Sequence, residues 1–64
     1  MTNLEFSMND DPVLPRAGID EEFLARINRT VTDIRNLKRA HPGVGRVVAH
    51  LVSPTGDDFQ ITIV

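Results

Sequence analysis

Between Ile19 and His41 the large apolar side chains recur at Ile19, Phe23, Ile27, Val31, Ile34 and Leu37, in steps of four, four, four, three and three. That spacing follows the 3.6-residue period, so one helix gathers them on a single face. A stripe of this length needs an apolar cover, and the rest of the chain must supply it. The ends of the stretch are marked. Asp20 is placed as N-cap, its carboxylate accepting from the N–H of Phe23. Ile19 and Leu24 flank that cap as a hydrophobic staple. Glu21 and Glu22 fall in the first turn and Arg35, Lys38 and Arg39 towards the last, each sign matched to the helix dipole. Glu22 and Arg26 form an i,i+4 pair. Pro42 and Gly43 stop the helix after His41.

The cover reads as sheet. Residues 1–8 alternate, with Leu4, Phe6 and Met8 on one side and Glu5 and Ser7 on the other, which predicts a half-buried strand. Residues 9–18 hold two prolines and a glycine and form a linker, pinned to the core by Val13 and Leu14. Gly45–Ser53 is a second, valine-rich strand. A turn over Ser53–Asp58 leads to a third strand, Phe59–Val64, with Phe59, Ile61 and Ile63 on one face. The expected fold is α+β, one domain over residues 1–64. Its elements run β-α-β-β, with a three-stranded, mostly antiparallel sheet of order 2-3-1 and the helix on one face. A right-handed crossover through the helix would make the first two strands parallel, with the third antiparallel to both. Val47, Ala49 and Leu51 then point inward. Arg46, Val48, His50 and Val52 point outward beside Gln60, Thr62, Val64, Glu5 and Ser7. Valines on an open face, and a proline-free edge on the second strand, suit self-association or strand addition.

With 64 residues and no cysteine, the chain has neither disulfides nor the commonest zinc ligand. A domain of this size buries only about 60% of its unfolded surface, so packing or a partner must hold it together. No apolar run is long enough to span a membrane, and the acidic start lacks a leader pattern, so the expected location is cytoplasmic. Asn28-Arg29-Thr30 matches a glycosylation sequon but lies mid-helix in such a chain, and it carries no role.

Charge is unevenly placed. Residues 1–25 carry a net −5 and residues 26–50 a net +5, which predicts a bipolar molecule. Arg35, Lys38, Arg39 and Arg46 are the candidate contact residues, an exposed basic cluster for an acidic surface. The alternative group is Asp10, Asp11, Glu21 and Glu22, imitating phosphate against a basic groove. There is no Trp or Tyr, and all three Phe are assigned to the core, which disfavours base stacking and direct nucleic-acid binding. Catalysis finds no set. His50 and Ser53 point to opposite faces of a strand, so a nucleophile–base bond with Asp57 as third member cannot form. Asp10-Asp11 and Asp57-Asp58 lack calcium-loop spacing. Gly18, Gly43, Gly45 and Gly56 read as turn and cap glycines and make no phosphate-cradling loop. The expectation is a non-enzyme without cofactor or metal.

Leu14 to Asp20, LPRAGID, with the strand before it and the helix after it, resembles the opening of the DinI family. Those proteins are small regulators of RecA with a β-α-β-β-α order. The likeness spans residues 1–45, stops short of the family's acidic second helix, and implies a regulator of that kind. In size, lack of cysteine and lack of a catalytic set, the whole chain resembles the small inhibitors encoded by phages and mobile elements, anti-CRISPR proteins among them. That likeness implies steric action, a charged surface occluding a site on a host protein or nucleoprotein complex. The leading expectation is therefore a small interaction protein of the inhibitor type. A homodimeric module associating through its open sheet face or edge is one alternative. A DinI-like regulator or weak nucleic-acid-binding module is the other. The expected partner is a protein, free or within a nucleoprotein complex, and the chain itself a monomer or homodimer.

Overall fold

The structure is a computed structural model that describes residues 2–9 and 12–64. Four elements follow one another: β1 (Thr2–Phe6), α1 (Glu21–Ala40), β2 (Val47–Val52) and β3 (Asp58–Ile63). The strands form one sheet in the order β1-β3-β2, the expected 2-3-1 order viewed from the other edge. The helix covers one face. β1 and β2 are each three residues shorter than their sequence patterns, and β3 keeps six residues but begins and ends one residue earlier. Past β3, the Val64 N–H still donates to the Phe6 carbonyl at 3.1 Å.

The helix forms as its ends dictate. Asp20 is extended, and its Oδ1 accepts from the Phe23 N–H at 2.7 Å. His41 closes the other end by donating its N–H to the Leu37 carbonyl. Phe23, Ile27, Val31 and Ile34 are buried against Leu4, Phe59, Ile61 and Ile63. Val47, Ala49 and Leu51 of β2, with Phe6, Met8, Val13 and Ile19, pack around that cluster. The Phe23 and Phe59 rings meet at 4.9 Å, tilted by 56°, a favoured aromatic geometry.

One direction in the sheet is corrected. β2 and β3 are antiparallel, but β1 and β3 are parallel, so the sheet is mixed and no parallel crossover joins β1 to β2. The cause is the segment between β1 and α1. Fourteen residues separate Phe6 from Glu21, enough for about 45–50 Å of extended chain. The five-residue β1 spans only about 17 Å. The segment runs back along the helix. The Ser7 carbonyl accepts from Arg35 Nε at 3.0 Å, the Val13 N–H donates to Asn28 Oδ1 at 3.1 Å, and Gly18 and Ile19 line a groove with Thr2 and Asp58. The helix thus starts beside the start of β1 and runs in the same direction. β2 returns, and the hairpin sends β3 alongside β1.

Two apolar residues assigned to the core are not in it. Leu14 is 71% exposed, because Val13 alone of that pair turns inward and is held by Asn28. Leu37 is about half exposed. A 20-residue helix measures about 30 Å, whereas the six-residue strands β2 and β3 measure about 20 Å. The last turns of α1 therefore pass the end of the sheet. The expected Glu22–Arg26 pair does not close among the described residues; the Arg26 guanidinium lies over the Phe23 ring at 5.8 Å.

A domain of this size has little reserve. Ile27 and Ile61 are fully buried at the centre of the seam. Truncating either to Ala costs about 2–5 kcal/mol, so Ile27→Ala should leave the chain largely unfolded, read as loss of the helical circular-dichroism signal. Gly56 has φ +88° with open space around its missing Cβ. Gly56→Ala should therefore lower the urea midpoint by backbone strain alone, about 1 kcal/mol.

Candidate functional site

The helix direction sorts the charges along the long axis of a molecule measuring 35 × 20 × 13 Å. At one end lies the N-terminus of α1, with Asp20, Glu21 and Glu22. The β2–β3 turn folds beside it. A groove of about 400 Å³ is lined by Arg16, Gly18, Ile19, Asp57 and Asp58 together with Thr2, Leu4 and Phe59. A second, of about 370 Å³, runs between Asp20 and Phe23 on the helix and Ser53, Pro54 and Thr55 on the turn. This end therefore gathers the carboxylates of Asp20, Glu21, Glu22, Asp57 and Asp58, with Arg16 lining the first groove and Arg26 over the Phe23 ring that lines the second.

Three of those carboxylates have work within the fold. Asp20 caps the helix. Asp57 Oδ2 accepts from the Thr55 hydroxyl at 3.0 Å, and its N–H donates to Ser53 Oγ at 3.0 Å, which stiffens the turn. Asp58 Oδ1 lies 3.3 Å from His50 Nε2 across the open face of the sheet. Glu21 and Glu22 are exposed and point away from the fold. Of the acidic group read from sequence, these two are at this end, while Asp10 and Asp11 lie outside the described residues. Asp57 and Asp58 were not assigned to it. Their membership follows only from the parallel course of α1 and β3, which sets the hairpin beside the helix N-terminus.

The opposite end is basic but not the free cluster that was expected. Arg35 is 7% exposed, and its Nε donates to the Ser7 carbonyl. Lys38 is half-buried, with Nζ donating to the Gly45 carbonyl at 2.6 Å and reaching the Ile63 carbonyl at 3.5 Å. Both cations satisfy backbone carbonyls; burial takes Arg35 out of an exposed cluster, while Lys38 stays partly exposed. Arg39 and Arg46 remain exposed, and Arg39 Nη1 donates to Asn36 Oδ1 at 3.1 Å.

The serine and histidine considered for catalysis stay apart. The Ser53 hydroxyl engages Thr55 Oγ1 at 2.9 Å inside the turn, whereas His50 faces Asp58 on the open side of the sheet. Among the described residues no group of three His, Asp or Glu side chains is placed to hold a metal ion, and no helix is long and apolar enough to cross a membrane. The open face carries Asn3, Gln60 and His50 in one row and Glu5, Thr62 and Val48 in the next. It is a largely polar surface on which Val48 and Val52 stand out. Comparison with protein-family models, curated proteins and solved structures finds no match in any of the three.

The division of the basic residues is testable by stability. Arg35→Ala should lower the urea midpoint by about 1–2 kcal/mol, through lost stem packing and an unsatisfied carbonyl. Arg35→Met, which keeps the stem, should lose less. Arg39→Ala and Arg46→Ala should leave the midpoint in place.

Proposed function

We propose that the protein is a non-enzymatic interaction protein that docks its acidic end on a basic surface of a larger protein or nucleoprotein complex and blocks that surface sterically, in the manner of a phage-type inhibitor. The observation that carries this reading is the gathering of Asp20, Glu21, Glu22, Asp57 and Asp58 at one end from two separate stretches of chain. Carboxylates spaced over a rigid helix start and a stiffened turn present negative charge at fixed positions. A basic groove built for phosphate would meet them with little reorganisation. The basic end is the weaker candidate, since two of its four expected contact residues, Arg35 and Lys38, are held by backbone carbonyls. The absence of Trp and Tyr, with Phe23 and Phe59 in the core, also leaves no stacking platform for a nucleic acid.

The reading is tested by affinity capture from a bacterial lysate with and without heparin as a competing polyanion. The neutralised triple variant Glu21→Gln/Glu22→Gln/Asp58→Asn is run beside Arg39→Gln/Arg46→Gln. The expected result is a partner that heparin displaces, that the acidic-end variant loses and that the basic-end variant keeps. A partner lost with Arg39 and Arg46 and kept by the triple variant would overturn the assignment.

A further inference from the structure

We infer that β2 is a self-pairing edge and that two copies of this chain associate through it into one six-stranded sheet, with strand order β1-β3-β2-β2-β3-β1. This goes beyond the acidic-end reading and does not depend on it. β2 has β3 on one side and, among the described residues, no strand on the other. Among the described residues, no hydrogen bond from the helix or a loop reaches the backbone of Val47–Val52 on the free side. The strand also lacks the devices that normally guard an edge. Its residues, VVAHLV, include no proline and no Lys, Glu or Asp, and its pairing with β3 runs through six residues without a bulge. The thin two-layer body leaves surface to cover. It exposes 4402 Å², against roughly 4,100 Å² for an average folded monomer of this mass.

Charge identifies the occupant as a second copy. β2 runs from the basic end, where Arg46 is exposed, to the acidic end, where Asp57 in the turn and Asp58 at the start of β3 follow. An antiparallel, two-fold pairing of β2 with itself reverses one molecule against the other. Each basic end then lies beside the other copy's acidic end. Asp58, the register partner of outward Val52, belongs to the open face, and exposed Arg46 immediately precedes inward-packed Val47.

The register follows from the alternation of side chains. Residues directly opposite in an antiparallel pair share a face, so one residue must face its own copy, with the two-fold axis midway between them. A strand of six residues therefore centres on Ala49 or on His50. Centring on His50 sets Val48 against Val52 of the second copy and Ala49 against its Leu51. Centring on Ala49 would set Val48 against His50. The first choice covers Val48 and Val52, which are 49% and 47% exposed in the single chain, and leaves each His50 beside its own Asp58.

Sedimentation over a wide concentration range tests the association. The wild type should shift from monomer to dimer with rising concentration. The dimer fraction should fall as salt rises towards about 1 M, where charge interactions are screened within about 3 Å. Val48→Asp and Arg46→Asp replace exposed residues and should give folded monomers. Arg46→Asp combined with Asp58→Arg should restore the dimer. A wild type that stays monomeric throughout, or a dimer indifferent to Val48→Asp and Arg46→Asp, would overturn the proposal. The chain has no cysteine, so single-cysteine variants report the register cleanly. On oxidation His50→Cys should cross-link into a covalent dimer, and Ala49→Cys and the exposed helix control Thr32→Cys should not. Cross-linking through Ala49→Cys instead, or equally through Thr32→Cys, would overturn the His50-centred pairing.

Discussion

The burial of α1 on β3 is the contact on which the molecule rests. Phe59, Ile61 and Ile63 all turn inward from the central strand, under Phe23, Ile27, Val31 and Ile34. Both other strands hydrogen-bond to β3 and not to each other. A strand without a neighbour has no place for its amides, and a two-stranded ribbon is marginal alone. Loosening the helix from β3 therefore dissolves the sheet as well as the layer above it. No disulfide stands behind that seam, so its packing quality sets the stability of the domain.

The segment between β1 and α1 decides much of what the surface looks like. An irregular chain laid along a helix has backbone groups that no ladder satisfies. Arg35, Asn28 and Asp20 supply partners for Ser7, Val13 and Phe23 in turn. Lys38 does the same for Gly45 at the far end. Polar side chains on that flank serve the fold, and what reaches solvent as free charge is a reduced set. The acidic end gains from the same geometry, because the chain's return places the hairpin turn beside the helix start.

Local features were legible in the sequence because their causes are local. The helix period, the Asp20 cap and the inward and outward rows of β2 and β3 all follow from spacing of a few residues. The direction of β1 was not legible, since a fourteen-residue linker is long enough to return or to cross and carries no mark of which it does. Arg35 and Leu37 show the same limit on a smaller scale. They lie roughly 80° to either side of the stripe's centre at 100° per residue, so periodicity alone ranks them equally. The returning linker covers one flank, and Arg35 is buried; the other flank passes the end of the sheet, and Leu37 is about half exposed. Spacing of four from Ile27 through Val31 to Arg35 was the available signal. The candidate acidic site was half legible, in Glu21 and Glu22. Asp57 and Asp58 joined it only through tertiary course.

The parallel pairing of β1 with β3 carries a consequence for the order of assembly. Thr2 aligns with Phe59 and Phe6 with Ile63, so the first strand is completed by the last. Helix α1 and the β2–β3 hairpin are built from neighbouring stretches and close short loops. β1 must wait for the hairpin, because among the described residues its only sheet partner is the far arm of that hairpin. During synthesis β1 is made before the hairpin it pairs with and docks after it. It spends that interval as an unpaired apolar segment carrying Leu4 and Phe6 into water. Its short length and the charge of Glu5 at its middle suit a strand that has to remain soluble while the rest of its fold is still being made.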